Sequence, residues 1–169
     1  MPEPRDHAKD RPFVETIVRQ IPGFRGYFEK EDRRESDALQ RDWLADRLER
    51  SKRSIDALTR PLADAGQIDL LPQVDRVRGR VDKLIGRIRG AMRGYSGFFD
   101  LVQVDEALLD RVYEFDVDLI AQVDTLAGAV DDLAKNPEQM GNALGELLTQ
   151  AEQLEQLWDL RADMLAGLE

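Results

Sequence analysis

The chain of 169 residues contains no cysteine and one histidine, His7. Without cysteine, the protein can form no disulfide framework, no thiolate nucleophile and no cysteine-based metal site. A di-metal centre of the ferritin type needs Glu-x-x-His pairs on inward helix faces, and one histidine near the N-terminus cannot provide them. We therefore predict no metal centre of that type and no cofactor.

Long apolar runs are also missing. No stretch approaches the roughly 18 apolar residues of a membrane-spanning helix. The opening MPEPRDHAKDRPF is charged and has no apolar segment of the kind found in signal peptides. We expect a cytoplasmic protein, with peripheral attachment at the inner membrane surface as an open alternative.

The patterns of the common enzyme classes are absent as well. None of the serines has a histidine close in sequence or stands in a nucleophile-elbow motif. No glycine-rich phosphate loop follows a strand, because the spacing of apolar residues predicts no strands. Carboxylate pairs such as Asp110 and Glu114 are typical of a solvated helix face in a chain this acidic. We therefore predict that the protein is not an enzyme and has no catalytic residues.

Charge is distributed unevenly along the chain, which has a formal net charge of −10. Residues 1–96 hold 21 Lys and Arg against 17 Asp and Glu, whereas residues 97–169 hold 3 against 17. The acidic part should repel nucleic acid, and no dense Lys/Arg run with interleaved aromatic residues offsets it. We predict no nucleic-acid binding.

Apolar residues recur at helical spacing, which predicts an all-α fold. A short amphipathic helix is expected over residues 12–21, and long helices one to four over residues 27–65, 73–95, 104–135 and 137–168. Short connections favour antiparallel neighbours, so we predict an up-down-up-down four-helix bundle with a long first helix. The expected division is a flexible arm with the short helix, residues 1–25, followed by the helical bundle, residues 26–169.

The apolar core positions are clearest in the second and fourth helices. Helix four repeats Met140, Leu144, Leu147, Ala151, Leu154 and Trp158 at the spacing of bundles and coiled coils. In helix two, the predicted core residues are Val74, Val77, Val81, Leu84, Ile85, Ile88 and Met92. Both patterns predict one helix face packed against neighbouring helices.

The long first helix has two contrasting parts. Its second part carries an apolar stripe with Leu44, Leu48 and Ile55, but from Glu29 to Asp42 the same face is nearly all charged. At ~1.5 Å per residue, the helix would be about 58 Å long, which exceeds the length of its expected neighbours. We therefore expect its N-terminal third either to project from the bundle or to pair with another copy.

The stretch from Gly94 to Asp116 joins the basic second helix to the acidic third helix. Asp116 lies beside core positions, where an unpaired charge would be costly. We predict an ion pair between Asp116 or Glu114 and an arginine of helix two, the candidates being Arg87, Arg89 and Arg93. A structural pair that fixes the helix register is one interpretation, and a pocket for a ligand or partner is the other.

A polar cluster at this hairpin is the candidate site for a metal ion or small ligand. Its members are Arg89, Arg93, Tyr95, Asp100, Asp105, Tyr113 and Asp116. For Asp105, the plainer interpretation is that it caps the third helix.

The segment before the first long helix is the candidate interaction arm. It combines apolar and basic side chains, namely Phe13, Ile17, Ile21, Phe24, Arg25, Tyr27 and Phe28. Such a segment could dock on the bundle itself, insert into the groove of a partner, or lie on an anionic membrane surface. The sequence leaves these three alternatives open.

Two stretches carry a resemblance to a known family. They are IPGFRGYFEKEDRRESD, residues Ile21–Asp37, and GYSGFFDLVQVDEALLDRVYEFDVDL, residues Gly94–Leu119. They resemble a family of small, all-helical bacterial and archaeal proteins without an assigned activity, associated with SPFH/band-7 membrane-scaffold proteins. The chain departs from that pattern at Phe24 and Phe28, where Tyr and Lys are expected. The resemblance implies a soluble partner of a membrane-surface scaffold.

Together these features favour a non-enzymatic helical interaction or scaffold protein that acts as a self-associating adaptor. A protein partner, including a second copy of the chain, is therefore expected. The alternative is a helical bundle that binds a metal ion or small ligand at the hairpin of helices two and three.

Overall fold

The structure is a computed structural model, and it describes residues 12–91, 105–133 and 135–166. The regular secondary structure of these ranges is entirely helical, which confirms the predicted all-α class. The α-helices are α1 (Pro12–Gln20), α2 (Lys30–Asp56), α3 (Thr59–Asp64), α4 (Leu71–Gly90), α5 (Glu106–Leu133) and α6 (Met140–Leu165). Short 3₁₀ turns, Ile68–Leu70 and Pro137–Gln139, lead into α4 and α6. Within the described ranges, no helix has both the length and the hydropathy needed to cross a membrane.

The predicted long first helix is divided into α2 and α3. Pro61 has no N–H to donate to the carbonyl of Ala57, so a continuous helix would lose a hydrogen bond and clash at this point. In the first turn of a new helix, by contrast, the missing donor costs nothing. The break at Ala57 and Leu58 therefore places Pro61 in the first turn of α3.

The N-terminal third of α2 does not project, and this corrects the first of the two expectations for it. Its inward face is buried although nearly all of it is polar or charged, as seen for Asp32, Arg33, Ser36, Asp37, Gln40 and Arg41. Burial is possible here because the charges of this face find partners on neighbouring elements.

The predicted core positions of α4 and α6 are confirmed. Every predicted residue of helix four is buried, as is each of the predicted positions of helix two from Val74 to Ile88. Met92 lies outside the described residues. Apolar periodicity thus identified the packed faces of these two helices correctly.

The long helices contact one another in pairs. In the described part of the chain, α2 and α6 each pack extensively against both α4 and α5, and α1 packs against α5. Ion pairs show that α2 and α4 run in opposite directions, since Arg89 meets Asp46 while Lys52 meets Asp82. Extensive contacts between α4 and α5 are absent from the described residues. The two helices predicted to form a side-by-side hairpin are therefore separated by α2 and α6.

The described part of the predicted arm belongs to the core. Val14 and Ile17 of α1 are buried, and Ile21 and Phe24 in the following loop join the same hydrophobic cluster. In the structure, this segment docks on the helices of the same chain, which is the first of the three alternatives. Residues 12–25 are therefore packed on the helices of residues 26–169.

Candidate functional site

The most unusual feature of the interior is a group of polar side chains where α2, α5, α6 and the loop after α1 meet. We call it the ionic cluster, and its members are Tyr27, Asp37, Gln40, Arg41, Asp116 and Arg161. None of these residues is more than 5% exposed. They come from distant parts of the sequence, so the cluster exists only in the folded chain.

Arg161 of α6 lies at the centre of the ionic cluster. Its Nε donates to Oδ1 of Asp116 at 2.7 Å, and its Nη2 donates to Oδ1 of Asp37 at 2.9 Å. The guanidinium carbon also lies 5.3 Å from the ring centroid of Trp158, within cation–π distance. One arginine therefore links α6 to both α5 and α2.

The protonation of Arg161 depends on these two carboxylates. Burial by itself would lower the pKa of the guanidinium, but the charges of Asp116 and Asp37 outweigh burial and raise the pKa well above its usual value. Arg161 is therefore a permanent cation. Its removal would leave carboxylate charge in the interior without full compensation.

Asp37 connects the ionic cluster to a second arginine. Its Oδ2 accepts a hydrogen bond from Nε of Arg41 at 2.7 Å. Nη1 of Arg41 in turn approaches the carbonyl oxygens of Ile88 and Arg89, at 3.5 and 3.4 Å, at the end of α4. A cation is favourable there, because the last carbonyls of a helix lack partners within the helix. Two carboxylates and two guanidinium groups thus balance in charge and tie α4 to the cluster.

Tyr27 closes the ionic cluster from the loop side. Its hydroxyl lies 2.8 Å from Oδ2 of Asp116 and 2.5 Å from Oε1 of Gln40, and its single hydrogen is shared between these two acceptors. Burial and the nearby charge of Asp116 raise the pKa of Tyr27 well above its ordinary value. The phenol therefore stays protonated and serves as a hydrogen-bond donor.

The conformation of the loop that carries Tyr27 depends on Gly26 and on hydrogen bonds between the loop backbone and side chains. Gly26 has φ of +93°, and a Cβ at this position would lie 2.7 Å from Oη of Tyr113. Oη of Tyr113 accepts from the backbone N–H of Tyr27 at 2.5 Å, and the two tyrosine rings stack at 5.3 Å. Oγ of Ser36 accepts from the N–H of Gly26 at 3.0 Å, and Nε of Arg33 donates to the carbonyl of Tyr27 at 2.8 Å.

The structure brings two residues of the predicted polar cluster together and separates others. Tyr113 and Asp116 lie side by side around Tyr27. Asp105 lies at the start of α5, where its Oδ1 accepts from the N–H of Ala107 at 3.0 Å, as expected for a cap. The remaining members that were proposed, Arg93, Tyr95 and Asp100, lie outside the described residues.

Two of the three predicted partners of Asp116 on the basic helix, Arg87 and Arg89, point elsewhere, and the third, Arg93, lies outside the described residues. Arg89 lies within ion-pair distance of Asp46 and Glu49 of α2, and Arg87 pairs with Asp159 of α6. The physical reason is the packing order, since α4 contacts α2 and α6 while Asp116 lies on α5. Arg161 takes the position at Asp116 that was predicted for an arginine of helix two.

Most residues of the predicted interaction arm are used within the fold. Ile17, Ile21 and Phe24 are buried in the hydrophobic core, Tyr27 is buried in the ionic cluster, and Phe28 is partly buried. Phe13 and Arg25 are exposed. The aromatic side chain that the arm presents to solvent is therefore that of Phe13.

Sequence reasoning missed Arg161, Asp37 and Gln40, although a signal for them exists. The spacing that ends at Trp158 continues to Arg161 and then to the buried Leu165. Traced backwards from Leu44, the stripe of α2 likewise passes through Gln40 and Asp37. A charged residue at a core position of a regular apolar pattern therefore indicates a buried ion pair.

The ionic cluster offers little to a substrate or ion. Its side chains are buried and engage one another, so no donor or acceptor is presented to solvent at the cluster. Among the described residues, no group of three or more His, Cys, Asp or Glu is placed to hold a metal ion. The arrangement fixes helices relative to one another.

The surface of α5 carries a groove that we call the α5 groove. It has a volume of about 580 Å³ and is lined by Phe13, Arg111, Glu114, Phe115, Val117, Asp118, Ala121 and Met164. Glu114 and Asp118 are exposed, whereas Phe115, Val117 and Met164 are partly buried against the core. The groove therefore combines an apolar floor with a charged border of two carboxylates and the guanidinium of Arg111.

Comparison of the chain with protein-family models, with curated proteins and with solved structures found no match.

Proposed function

We propose that the protein is a non-enzymatic helical interaction protein that acts as a self-associating adaptor. The observation that supports this proposal best is the burial of the ionic cluster, because its charged side chains pair with one another in the interior. Chemistry on a substrate would need at least one of them to be accessible. The proposal therefore assigns the function to the protein surface, in particular to the α5 groove.

For the architecture, we propose an up-down-up-down four-helix bundle of α2, α4, α5 and α6, with α1 packed on its side. Antiparallel pairing of α2 with α4 supports this arrangement. Arg80 pairs with Glu155 while Arg87 pairs with Asp159, so α4 and α6 run parallel, as the second and fourth helices of an up-down-up-down order do, although here the two pack as neighbours.

The distribution of surface charge supports a protein partner over nucleic acid. The basic side chains of α4 are largely neutralised by carboxylates of α2 and α6, as in the pairs of Arg78 with Asp56 and of Lys83 with Glu155. No basic surface of the kind that binds phosphates is formed by this helix. The acidic side chains of α5 instead face solvent.

The resemblance implies a scaffold of the SPFH/band-7 type as the partner, and hence a cytoplasmic location with peripheral contact at the inner membrane surface. The exposed outer side of α1 fits such contact, because Val18 is 43% exposed next to Arg19. These side chains contribute nothing to the buried face of the helix.

Self-association is tested by measuring the molar mass in solution across a wide range of protein concentration. We expect a mass above that of one chain of 19.3 kDa that increases with concentration. A mass of one chain at every concentration would reject the self-associating adaptor.

Membrane contact is tested by co-sedimentation with anionic vesicles. Deleting the arm is unsuitable, because Val14, Ile17 and Ile21 are core residues. The variant Val18→Ser/Arg19→Ser changes exposed side chains outside the groove lining, and we expect it to lower pelleting without changing the thermal midpoint. Equal pelleting of both proteins would remove α1 from the membrane part of the proposal.

A further inference from the structure

We propose that the α5 groove binds a basic amphipathic helix of a partner protein. This inference rests on the proposed interaction function and names the class of partner. It commits to a helix with apolar residues on one face and Lys or Arg beside them. The recognition mode is that of a helix laid in a groove.

The shape of the α5 groove suits a helix. Its lining on α5 extends from Arg111 to Ala121, which corresponds to about three helical turns and ~15 Å. Phe13 of α1 and Met164 of α6 line it together with this part of α5. A methionine beside aromatic rings is adaptable and is common where proteins bind amphipathic helices.

The lining of the α5 groove has the carboxylates of Glu114 and Asp118 against the one guanidinium of Arg111, and this acidic balance favours a basic occupant. Glu114 and Asp118 are one helical turn apart on the exposed face. Asp163 is exposed next to Met164, the contribution of α6 to the groove. Lys or Arg residues four apart on a partner helix would face these two carboxylates, which favours binding.

Other occupants fit these observations less well. An anionic lipid surface would be repelled by the same carboxylates. A second copy would have to offer a basic surface, yet most arginines of α4 are engaged with α2 and α6, as shown by Arg87 and Arg89. A basic amphipathic helix from a different protein offers both the apolar face and the positive charge that suit the groove.

The test uses a fluorescein-labelled, 18-residue designed helix with leucine on one face and lysine on the other. Its binding to the full chain is measured by fluorescence anisotropy. Glu114→Lys/Asp118→Lys reverses the groove charge, and the matched control Asp131→Lys/Glu146→Lys reverses two exposed carboxylates outside the groove lining, so both variants have the same net charge. We expect the groove variant to bind about tenfold more weakly than the control.

A second variant tests the apolar side of the α5 groove. Phe13→Ser removes an exposed ring that lines the groove, and we expect it to weaken peptide binding severalfold while all carboxylates stay in place. Circular dichroism and thermal midpoints of all variants show whether each one is folded.

Three results would overturn the inference. Equal weakening in the groove variant and the control would show general attraction between a cationic peptide and an acidic protein. Unchanged binding in the groove variant would show that the peptide binds elsewhere. A loss of self-association in the groove variant would show that the groove is an interface between copies.

A failure of peptide binding alongside concentration-dependent self-association would leave the proposed adaptor function intact, so the two proposals fail separately.

Discussion

The two halves of α2 are buried to the same extent by opposite chemistry. Leu44, Leu48 and Ile55 line the C-terminal half, and all three have no exposed surface. In the N-terminal half, the same side of the helix is occupied by Asp37 and Arg41, which are 1% and 5% exposed. The buried face of α2 is thus ionic in the N-terminal half and apolar in the C-terminal half.

The difference shows what each kind of burial requires. An apolar side chain is stabilised by leaving water, whichever neighbours it meets. A buried charge is tolerated only where a partner of opposite charge and correct geometry is present. The apolar half should therefore lose stability in proportion to the apolar surface that a substitution removes, whereas the ionic half should depend on every one of its members. The following predictions test this contrast, from the largest expected effect to the smallest.

Removal of the central cation should have the largest effect. Arg161→Met keeps the apolar part of the side chain but leaves Asp37 and Asp116 with one guanidinium between them. We expect the free energy of unfolding in urea to fall by about 3–5 kcal/mol, since an uncompensated carboxylate charge stays buried. The control Arg87→Met removes a partly exposed cation that pairs with Asp159, and it should cost about 1 kcal/mol or less. Similar losses in both variants would contradict the special role of the interior.

A truncation in the apolar half should cost somewhat less. Leu48→Ala removes buried methyl groups at a position with no exposed surface. We expect a loss of about 3 kcal/mol in the free energy of unfolding. Because no charge is involved, the loss should be the same in low and high salt, as measured by urea denaturation at both. A salt-dependent loss would show that the two halves are coupled.

The loop over the ionic cluster should be sensitive to a single methyl group. Gly26→Ala combines a left-handed backbone with an added Cβ 2.7 Å from Oη of Tyr113, so we expect a loss of about 2 kcal/mol. Gly66→Ala is the matched control, because Gly66 also has positive φ, of +74°, but its Cβ would meet nothing within 4 Å. The control should cost about 1 kcal/mol. Equal losses would mean that contact with Tyr113 contributes nothing.

Alkaline pH should weaken the fold through Tyr27. Its pKa is raised in the folded protein, so above the ordinary tyrosine pKa near 10 the unfolded state loses its proton first. Stability from this residue is therefore complete below pH 10 and falls as pH rises towards the folded pKa. We expect a decrease of about 1 kcal/mol between pH 10 and pH 11. Urea unfolding across this range should show a smaller slope for Tyr27→Phe, and an identical slope would exclude Tyr27 as the cause.

The sequence predicted the fold class and the apolar half of the interior. The regular spacing in α4 and α6 identified buried residues correctly, because burial of apolar surface follows helix periodicity. The same reasoning expected the charged part of α2 either to project from the bundle or to pair with another copy, because periodicity of apolar residues says nothing about charges that have partners within the fold. The break before α3 could have been expected from Pro61.

The candidate site could be predicted in part only. Tyr113 and Asp116 were proposed as members of a polar cluster, and both lie where Tyr27 meets α5. Arg161 could not be named as their partner, because pairing between residues 45 positions apart depends on which helices are neighbours. No local sequence pattern indicates the order of the helices around the core, in which α4 packs against α2 and α6.

The most direct test of the ionic interior is a double-mutant cycle between Arg161 and Asp116. The free energy of unfolding is measured for the original protein, Arg161→Met, Asp116→Asn and the double variant. In the double variant, Asp37 and Arg41 still balance in charge. We predict that the double variant is more stable than Arg161→Met alone. A double variant whose loss equals the sum of the two single losses would contradict the account.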